Sequence, residues 1–312
     1  MKAGITVVGN TNLDIIVADT FELPAPGTET VVPAISIRLG GSAGNLAVRC
    51  AGLELATRLV SRVGDDSSLL ILEAELEIPL LETHLLRTAG TASGMTVAVE
   101  SPGRDRAFLS SLGPMAAMCP SDITQQMLEA DFLALAGYFL LPGMQGPALT
   151  ELFQRAKAAG AQTVLDTGCP PQGWTREVRA EVLQAMDQVD VFLPNDDELH
   201  GLAGHKDTER AARELAVSTD SLVAVKMGAR GAGVATPLGE WFEHRAAPVQ
   251  VIDSTGAGDG FNAAFLVSLN RGADLRHALT AAVEYATKMV STAPEKRADV
   301  TMSGAAVATA QY

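Results

Sequence analysis

Apolar residues fall along this chain in two rhythms. In the first, short continuous runs alternate with longer segments of helical spacing. Ile5 to Gly9 is a β-branched run of the kind buried on both faces of a parallel sheet, and it ends in the polar stretch Asn10-Thr11-Asn12 before Asp14. Residues 56–63 predict a further strand, followed by Gly64-Asp65-Asp66 and a helix through Leu76. From Asp131 the alternation is regular: strands at Phe132 to Ala136, Thr163 to Asp166, Val189 to Leu193 and Leu222 to Met227, with helices reaching Ala159 and spanning Thr175 to Met186. The last of these strands turns through Gly228-Ala229-Arg230-Gly231-Ala232-Gly233 into a hairpin with Val234 and Trp241-Phe242, and helices over 257–271 and about 274–292 close the chain. Repeated βαβ units predict an α/β fold: a doubly wound, mainly parallel sheet with right-handed crossovers and helices on both faces.

The second rhythm has period 2. Met95, Val97 and Val99 alternate with Thr96, Ala98 and Glu100, and a second alternating run covers Arg106 to Ser111 across the turn Pro102-Gly103; Thr30 to Leu39 alternates as well. Alternation marks half-exposed antiparallel strands, which fit poorly inside a parallel sheet. Residues 13–39 and 91–112 are therefore assigned to a small separate β-sheet, a lid over one end of a single domain spanning 1–312.

A chain of 312 residues is long enough to bury about three quarters of its unfolded surface. Its net charge of −14 (23 basic minus 37 acidic residues) argues against a nucleic-acid partner, and no dense Lys/Arg cluster offsets that balance. Cys50, Cys119 and Cys169 are dispersed, without C-x-x-C spacing, which fits a reducing compartment. No signal-peptide pattern and no apolar stretch of membrane-spanning length is visible, so a cytoplasmic protein is expected, with no membrane partner.

Chemistry concentrates where strands end. In Asp253-Ser254-Thr255-Gly256-Ala257-Gly258-Asp259-Gly260-Phe261-Asn262, two glycines admit positive φ and bring successive N–H groups toward a ligand, and the helix starting there adds unpaired donors and the positive end of its dipole. Such a turn binds anions, and Asp259 within it is unexpected unless it serves the bound anion's chemistry. Asp in a first turn is also an ordinary helix start. The turn is neither a P-loop, since no Gly-Lys-Ser/Thr follows, nor a dinucleotide fingerprint, whose third glycine would fall on Phe261. A second glycine-rich helix start, Gly40-Gly41-Ser42-Ala43-Gly44-Asn45, suits either close approach of a substrate to backbone or tight packing of helix on sheet. Asn12 and Asp14 are placed to grip hydroxyl groups or to close a turn. Asn195 and Glu198, three apart at a predicted helix start, offer hard oxygens of the kind Mg²⁺ uses, usually through water, or simply cap the helix. Lys226 is positioned to meet a nucleotide or to remain a surface charge.

Taken together, Gly9-Asn10-x-Asn12-x-Asp14, Gly40-Gly41-Ser42-x-x-Asn45, Gly64-Asp65-Asp66, Asn195-x-x-Glu198, Lys226-x-Gly228-x-x-Gly231 and the 253–259 run resemble, in order and spacing, the ribokinase-like (PfkB) family of carbohydrate kinases over nearly the whole chain. The resemblance implies transfer of the γ-phosphoryl group of ATP to a hydroxyl of a small sugar. It also implies Asp259 as catalytic base and substrate contact, with the backbone of Gly256, Ala257 and Gly258 as anion hole. Lys226, Gly228, Gly231 and Asn195 would bind the nucleotide, and Asn12, Asp14, Gly41 and Asn45 the sugar. Asn195 and Glu198 would organise Mg²⁺ through water, and Asp253 would serve a monovalent cation, K⁺. Two departures stand out: Pro294-Glu295-Lys296-Arg297, after Ser291, lacks the glycine expected near the family's cation loop, and Leu112-Gly113-Pro114-Met115 lacks the asparagine that follows the corresponding glycine in many of its sugar kinases. The alternatives are a nucleoside kinase on the same fold, disfavoured because aromatics form only 4% of the chain and Phe21, Phe108 and Tyr138 are the few stacking candidates, and a non-catalytic sugar or nucleotide sensor. An exposed lid sheet offers a pairing surface for a homodimer.

Overall fold

The computed structural model describes residues 2–17, 24–99 and 107–302, so Phe21 and the turn Pro102-Gly103 lie outside the described residues. The strands are β1 (Ala3–Gly9), β2 (Asn12–Val17), β3 (Ile35–Gly40), β4 (Thr57–Gly64), β5 (Leu81–Thr88), β6 (Met95–Val99), β7 (Ala107–Ser111), β8 (Ala130–Ala136), β9 (Gln162–Asp166), β10 (Val191–Phe192), β11 (Leu222–Lys226), β12 (Ala232–Ala235) and β13 (Trp241–His244). The α-helices are α1 (Ser42–Gly52), α2 (Ser68–Glu75), α3 (Pro147–Ala158), α4 (Arg176–Ala185), α5 (Asp196–Ala203), α6 (Thr208–Thr219), α7 (Ala257–Asn270) and α8 (Leu275–Val290).

Nine strands form one sheet in the order β13-β12-β11-β10-β9-β8-β1-β4-β5; β11 through β5 are parallel, and the β12/β13 hairpin adds an antiparallel edge. The fully buried residues of the central strands are why their sequences read as continuous apolar runs. Helices cover both faces. Leu46, Leu72, Phe265 and Leu279 of α1, α2, α7 and α8 share one core cluster, whereas Leu152, Val182, Leu199 and Ala212 of α3, α4, α5 and α6 share the other. Among the described residues no helix is long and apolar enough to cross a membrane.

Chain order reverses between β1 and β8, because β4 and β5 extend the sheet one way from β1 while β9, β10 and β11 extend it the other way from β8. Open α/β sheets bind ligands in the crevice at such a switch point. The crevice is built tightly: Gly137, at the end of β8, has φ 78° and a side chain there would come within 2.1 Å of Asn10 Oδ1 at the end of β1. Asn10 in turn accepts from the Ser42 and Gly44 amides, at 3.1 and 3.3 Å, which seats the start of α1 over the crevice.

The four remaining strands form a separate sheet, β3-β2-β6-β7, with β2 and β6 parallel and both outer pairs antiparallel. Ala98 and Ile16 turn inward, whereas the row Leu109, Val97, Ile15 and Ile37 shares the opposite face, where Leu109 is 62% and Ile37 53% exposed. Two elements have no counterpart in the periodicity reading. β5 pairs with β4 along its whole length as a half-buried parallel edge, where polar residues are tolerated on the open side, and α6 covers β11 and β12. The segment ahead of α3 is not one helix: Gly137 in the left-handed region and Pro142 divide it into short 3-10 turns.

Phe265 is fully buried, stacks within α7 on Phe261 with ring centroids 5.9 Å apart, and belongs to the core cluster that α7 shares with Val7 of β1 and Ala134 of β8. Phe265→Ala is expected to cost about 3–5 kcal/mol of stability in urea denaturation; a loss under about 1 kcal/mol would mean that α7 is held by other contacts.

Candidate active site

The turn before α7 joins two sides of one cleft. Gly256 caps the helix with φ 71°, in the left-handed region that favours glycine. The N–H groups of Gly256 and Gly258 have no protein partner among the described residues, and Ala257 N–H reaches Ser254 O at 3.3 Å. These donors stand at the positive end of a 14-residue helix, an arrangement suited to an anion. On one side, Ala257, Gly258 and Phe261 line a cavity of about 500 Å³ together with Lys226, Gly228 and Gly231. Gly231 has φ 98°, and a Cβ there would sit 2.1 Å from His244 O, so only glycine lets β13 pass so close.

On the other side of the turn, the Asp259 carboxylate lies near the Asn45 side chain on α1, whose amide favours the ionised form. Asn45 itself sits one helical turn beyond Gly41, whose carbonyl accepts its N–H at 2.9 Å. Gly41 has φ 85°, and a Cβ on it would lie 2.3 Å from Asn10 O and 2.9 Å from Asn12 Oδ1; one on Gly40 would lie 2.1 Å from Asp14 Oδ1. Asn12 Nδ2 donates to Asp14 Oδ1 at 2.8 Å and to Thr96 Oγ1 at 3.3 Å. The glycine turn, Asn12, Asp14 and Asn45 are thus brought together at the crevice, with Asp259 facing them. Burial pushes the Asp259 carboxyl up to about 7; the Asp166 carboxylate adds to this, while Lys226, Asn45 and Arg49 pull against it.

Beneath the cleft, three carboxylates surround one ammonium. Lys226 Nζ donates to Asp166 Oδ2 at 3.0 Å, to Leu193 O at 2.6 Å and to Asn262 Oδ1 at 3.2 Å, which uses all three of its protons. Lys226 therefore reaches the cavity as part of its wall, with its charge committed to protein groups. Burial works against that charge, but Asp166, Glu198 and Asp259 outweigh it and hold the ammonium above its ordinary range. Asn195 and Glu198 form a capping box at the start of α5: Asn195 N–H donates to Glu198 Oε2 at 3.0 Å and Glu198 N–H to Asn195 Oδ1 at 2.8 Å, while Asn195 Nδ2 donates to Glu198 Oε1 at 2.9 Å. Burial first, then Asp166, pushes the Glu198 carboxyl up to about 7.

The fit of a divalent cation follows from that crowding. A buried carboxyl such as Glu198, whose proton affinity is raised by burial and by the neighbouring Asp166 carboxylate, is relieved by a hard cation. Among the described residues no cluster of three His, Cys, Asp or Glu side chains is arranged to hold a metal. A hard cation beside Asp166 and Glu198 would therefore have to complete its shell with water and phosphate oxygens, as Mg²⁺ does.

Asp253 sits behind the turn. Its carboxylate takes Arg38 Nη1 of β3 at 2.9 Å and Arg297 Nη1 at 3.4 Å, and its own turn closes through Thr255 N–H at 2.8 Å. Sequence reading gave no role to three contributors to the site, Asn262, Arg38 and Arg297, and gave Asp166 only a place on the ligand side of the sheet. Only Asp166 carried a signal, an acidic residue at the carboxyl end of a predicted parallel strand.

Residues 2–294 match the family described as pfkB family carbohydrate kinase. The chain is 28% identical over 273 residues to an ATP-dependent ribose-1-phosphate kinase of Halopiger xanaduensis, covering 87% of this chain and 86% of that one. It is 26% identical over 309 residues to a ribokinase of Staphylococcus aureus, covering 95% of each. Among solved structures, Arabidopsis thaliana ribokinase complexed with ribose and ATP superposes with a TM-score of 0.77 at 24% identity, covering 94% of each chain, a likeness of fold.

A carboxyl raised by burial favours the folded state when protonated. That contribution is present below the unfolded-state pKa of about 4 and is lost as pH rises through the folded value. Asp259→Asn is accordingly expected to melt above the wild type at pH 8, with the gap closing as pH falls from about 7 toward 4. A variant that melts below the wild type at pH 8 would show the carboxylate to be held by favourable contacts.

Proposed function

The chain belongs to the pfkB family of carbohydrate kinases, and from that premise we propose how its residues divide the work of moving the γ-phosphoryl group of ATP to a hydroxyl of a small sugar. The reaction class is that of the family, an ATP-dependent phosphotransferase with an alcohol acceptor. The observation that carries the assignment of residues is the two-sided turn: Ala257 and Gly258 line the 500 Å³ cavity, while Asp259, two peptide planes away at most, faces Asn45 and the crevice.

In this reading the nucleotide occupies the cavity beside Gly228 and Gly231, and its terminal phosphate meets the amides of Gly256, Ala257 and Gly258. Those donors stabilise the charge that spreads over the transferring group, the main requirement of a loose transition state. The sugar lies against Asn12, Asp14 and Gly41, with Asn45 orienting the Asp259 carboxylate toward one hydroxyl. Asp259 accepts that hydroxyl's proton as the oxygen attacks phosphorus. A base held near pKa 7 has the proton affinity suited to this task at neutral pH. Mg²⁺, when bound near Asp166 and Glu198 through water, neutralises phosphate charge.

The small sheet acts as the lid that keeps water from competing as acceptor, and β3 is tied to the anion turn through Arg38 and Asp253. Its outward row of Leu109, Val97, Ile15 and Ile37 suits a second copy of the chain, giving a homodimer through the lids. Use of ATP as phosphoryl donor supports a cytoplasmic location in this reading.

The test is ADP release with Mg–ATP over pentoses, hexoses, sugar phosphates, keto-deoxy sugar acids and nucleosides. Turnover is expected with one of the sugars or sugar derivatives. Turnover confined to nucleosides would transfer the reading to a nucleoside kinase, and tight binding without turnover across the panel would make the protein a sensor. Asp259→Asn is expected to lower kcat by about 10² to 10⁴ while still binding ATP. In the wild type kcat/KM should fall about tenfold per pH unit below about 7, because the base must be deprotonated. A flat acid limb, or full turnover in the variant, would remove Asp259 as base.

A further inference from the structure

The turn that carries the anion donors is gripped from behind by a buried guanidinium. Arg297, in the 3-10 segment Pro294–Asp299, is only 4% exposed. Its Nε donates to Met289 O at 3.0 Å and Thr292 O at 3.1 Å; its Nη1 donates to Thr255 O at 2.9 Å and approaches Asp253 Oδ2 at 3.4 Å; its Nη2 donates to Asp253 O. Two carbonyls from the 253–255 turn, two from the end of α8 and one carboxylate thus converge on a single charge. Met289 belongs to the last turn of α8, where carbonyls lack helical partners and the dipole is negative.

Inward-facing carbonyls that replace a hydration shell are the usual host of a dehydrated monovalent cation. The resemblance noted above implies such an ion beside Asp253. These residues do not fit one. The carbonyls that would coordinate it already point at guanidinium protons at hydrogen-bond distance, and an added ion would stand against a like charge that cannot be removed by deprotonation.

We propose that Arg297 takes the place of a monovalent cation in this protein, as a covalently tethered positioning charge that makes the anion turn independent of K⁺. The peptide plane supplies the link to function. In a trans peptide the C=O of Thr255 and the N–H of Gly256 point opposite ways, so drawing the carbonyl toward Arg297 turns the Gly256 N–H away from it, toward the phosphate side. Only this consequence for phosphate binding rests on the proposed kinase reading; the filling of the carbonyl cage does not.

The test compares wild type, Arg297→Met and Arg297→Lys in KCl and in tetramethylammonium chloride at equal ionic strength, reading thermal melting and the affinity for a non-hydrolysable Mg–ATP analogue. Both readings are expected to be the same in the two salts for the wild type and for Arg297→Lys, whose ammonium suits the same oxygens. Arg297→Met keeps the apolar stem and loses the charge. It is expected to bind the analogue at least about tenfold more weakly without K⁺, and to recover both melting temperature and affinity saturably as KCl is added. A K⁺-specific rise in wild-type melting temperature or affinity would overturn the proposal, as would an Arg297→Met variant that matches the wild type without K⁺ or whose loss K⁺ fails to restore. If Arg297→Met does not fold in either salt, the wild type and Arg297→Lys decide: indifference of both to K⁺ supports the proposal, and a K⁺ response in either sinks it. Absence of analogue binding by the wild type would strike the kinase reading instead, and the melting comparison would still decide the cation question.

Discussion

Three acidic side chains, Asp166, Glu198 and Asp259, press on one ammonium, Lys226, at the carboxyl ends of the parallel strands. The four groups come from four different elements: Asp166 ends β9, Lys226 ends β11, Glu198 stands at the start of α5 and Asp259 in the first turn of α7. One cation cannot neutralise three carboxylates in a desolvated place, so two of them are held near pKa 7. In the proposed reading a metal ion would relieve that excess on the Glu198 side, and a proton from an acceptor hydroxyl would relieve it on the Asp259 side. The same crowding that costs stability gives Asp259 the proton affinity that its proposed role as a base requires, a trade familiar from functional sites.

Cations behind the turn do the complementary work. Lys226 spends its protons on Asp166, Leu193 and Asn262, and Arg297 spends its own on carbonyls, so neither would compete with the backbone amides for an anion at the turn. Arg38 extends this framework to the small sheet, joining β3 to Asp253 across 215 residues of sequence. The Arg38–Asp253 ion pair, 11% exposed on the Asp253 side, ties that sheet to the turn.

Much of the fold was legible because burial leaves a mark on sequence. β1 and β8 are almost wholly apolar since both of their faces are covered, with Thr6 and the exposed Asp131 as the exceptions, and β6 alternates because one of its faces is open. Edge elements leave no such mark: β5, with His84, Glu82 and Arg87 among its residues, carries too few buried positions to reveal a period. At the site, glycines announced themselves through positions that tolerate nothing else, as at Gly41 and Gly231. The ion pairs did not, since a charged residue reads alike whether it is solvated or buried against a partner 44 or 60 residues away.

The sequence by itself determined the alternation of strands and helices, the glycine turns, and the position of Asp259 beside an anion-binding backbone, because periodicity and positive φ are local demands on residue type. Only the tertiary structure decided what each charge is for. It placed Lys226 among carboxylates within the cavity wall and turned a helix cap, Asn195 and Glu198, into half of an acidic pair. It also filled the carbonyl cage behind Asp253 with Arg297. Electrostatic roles depend on distance and desolvation, which belong to the folded arrangement and have no signature in chain order.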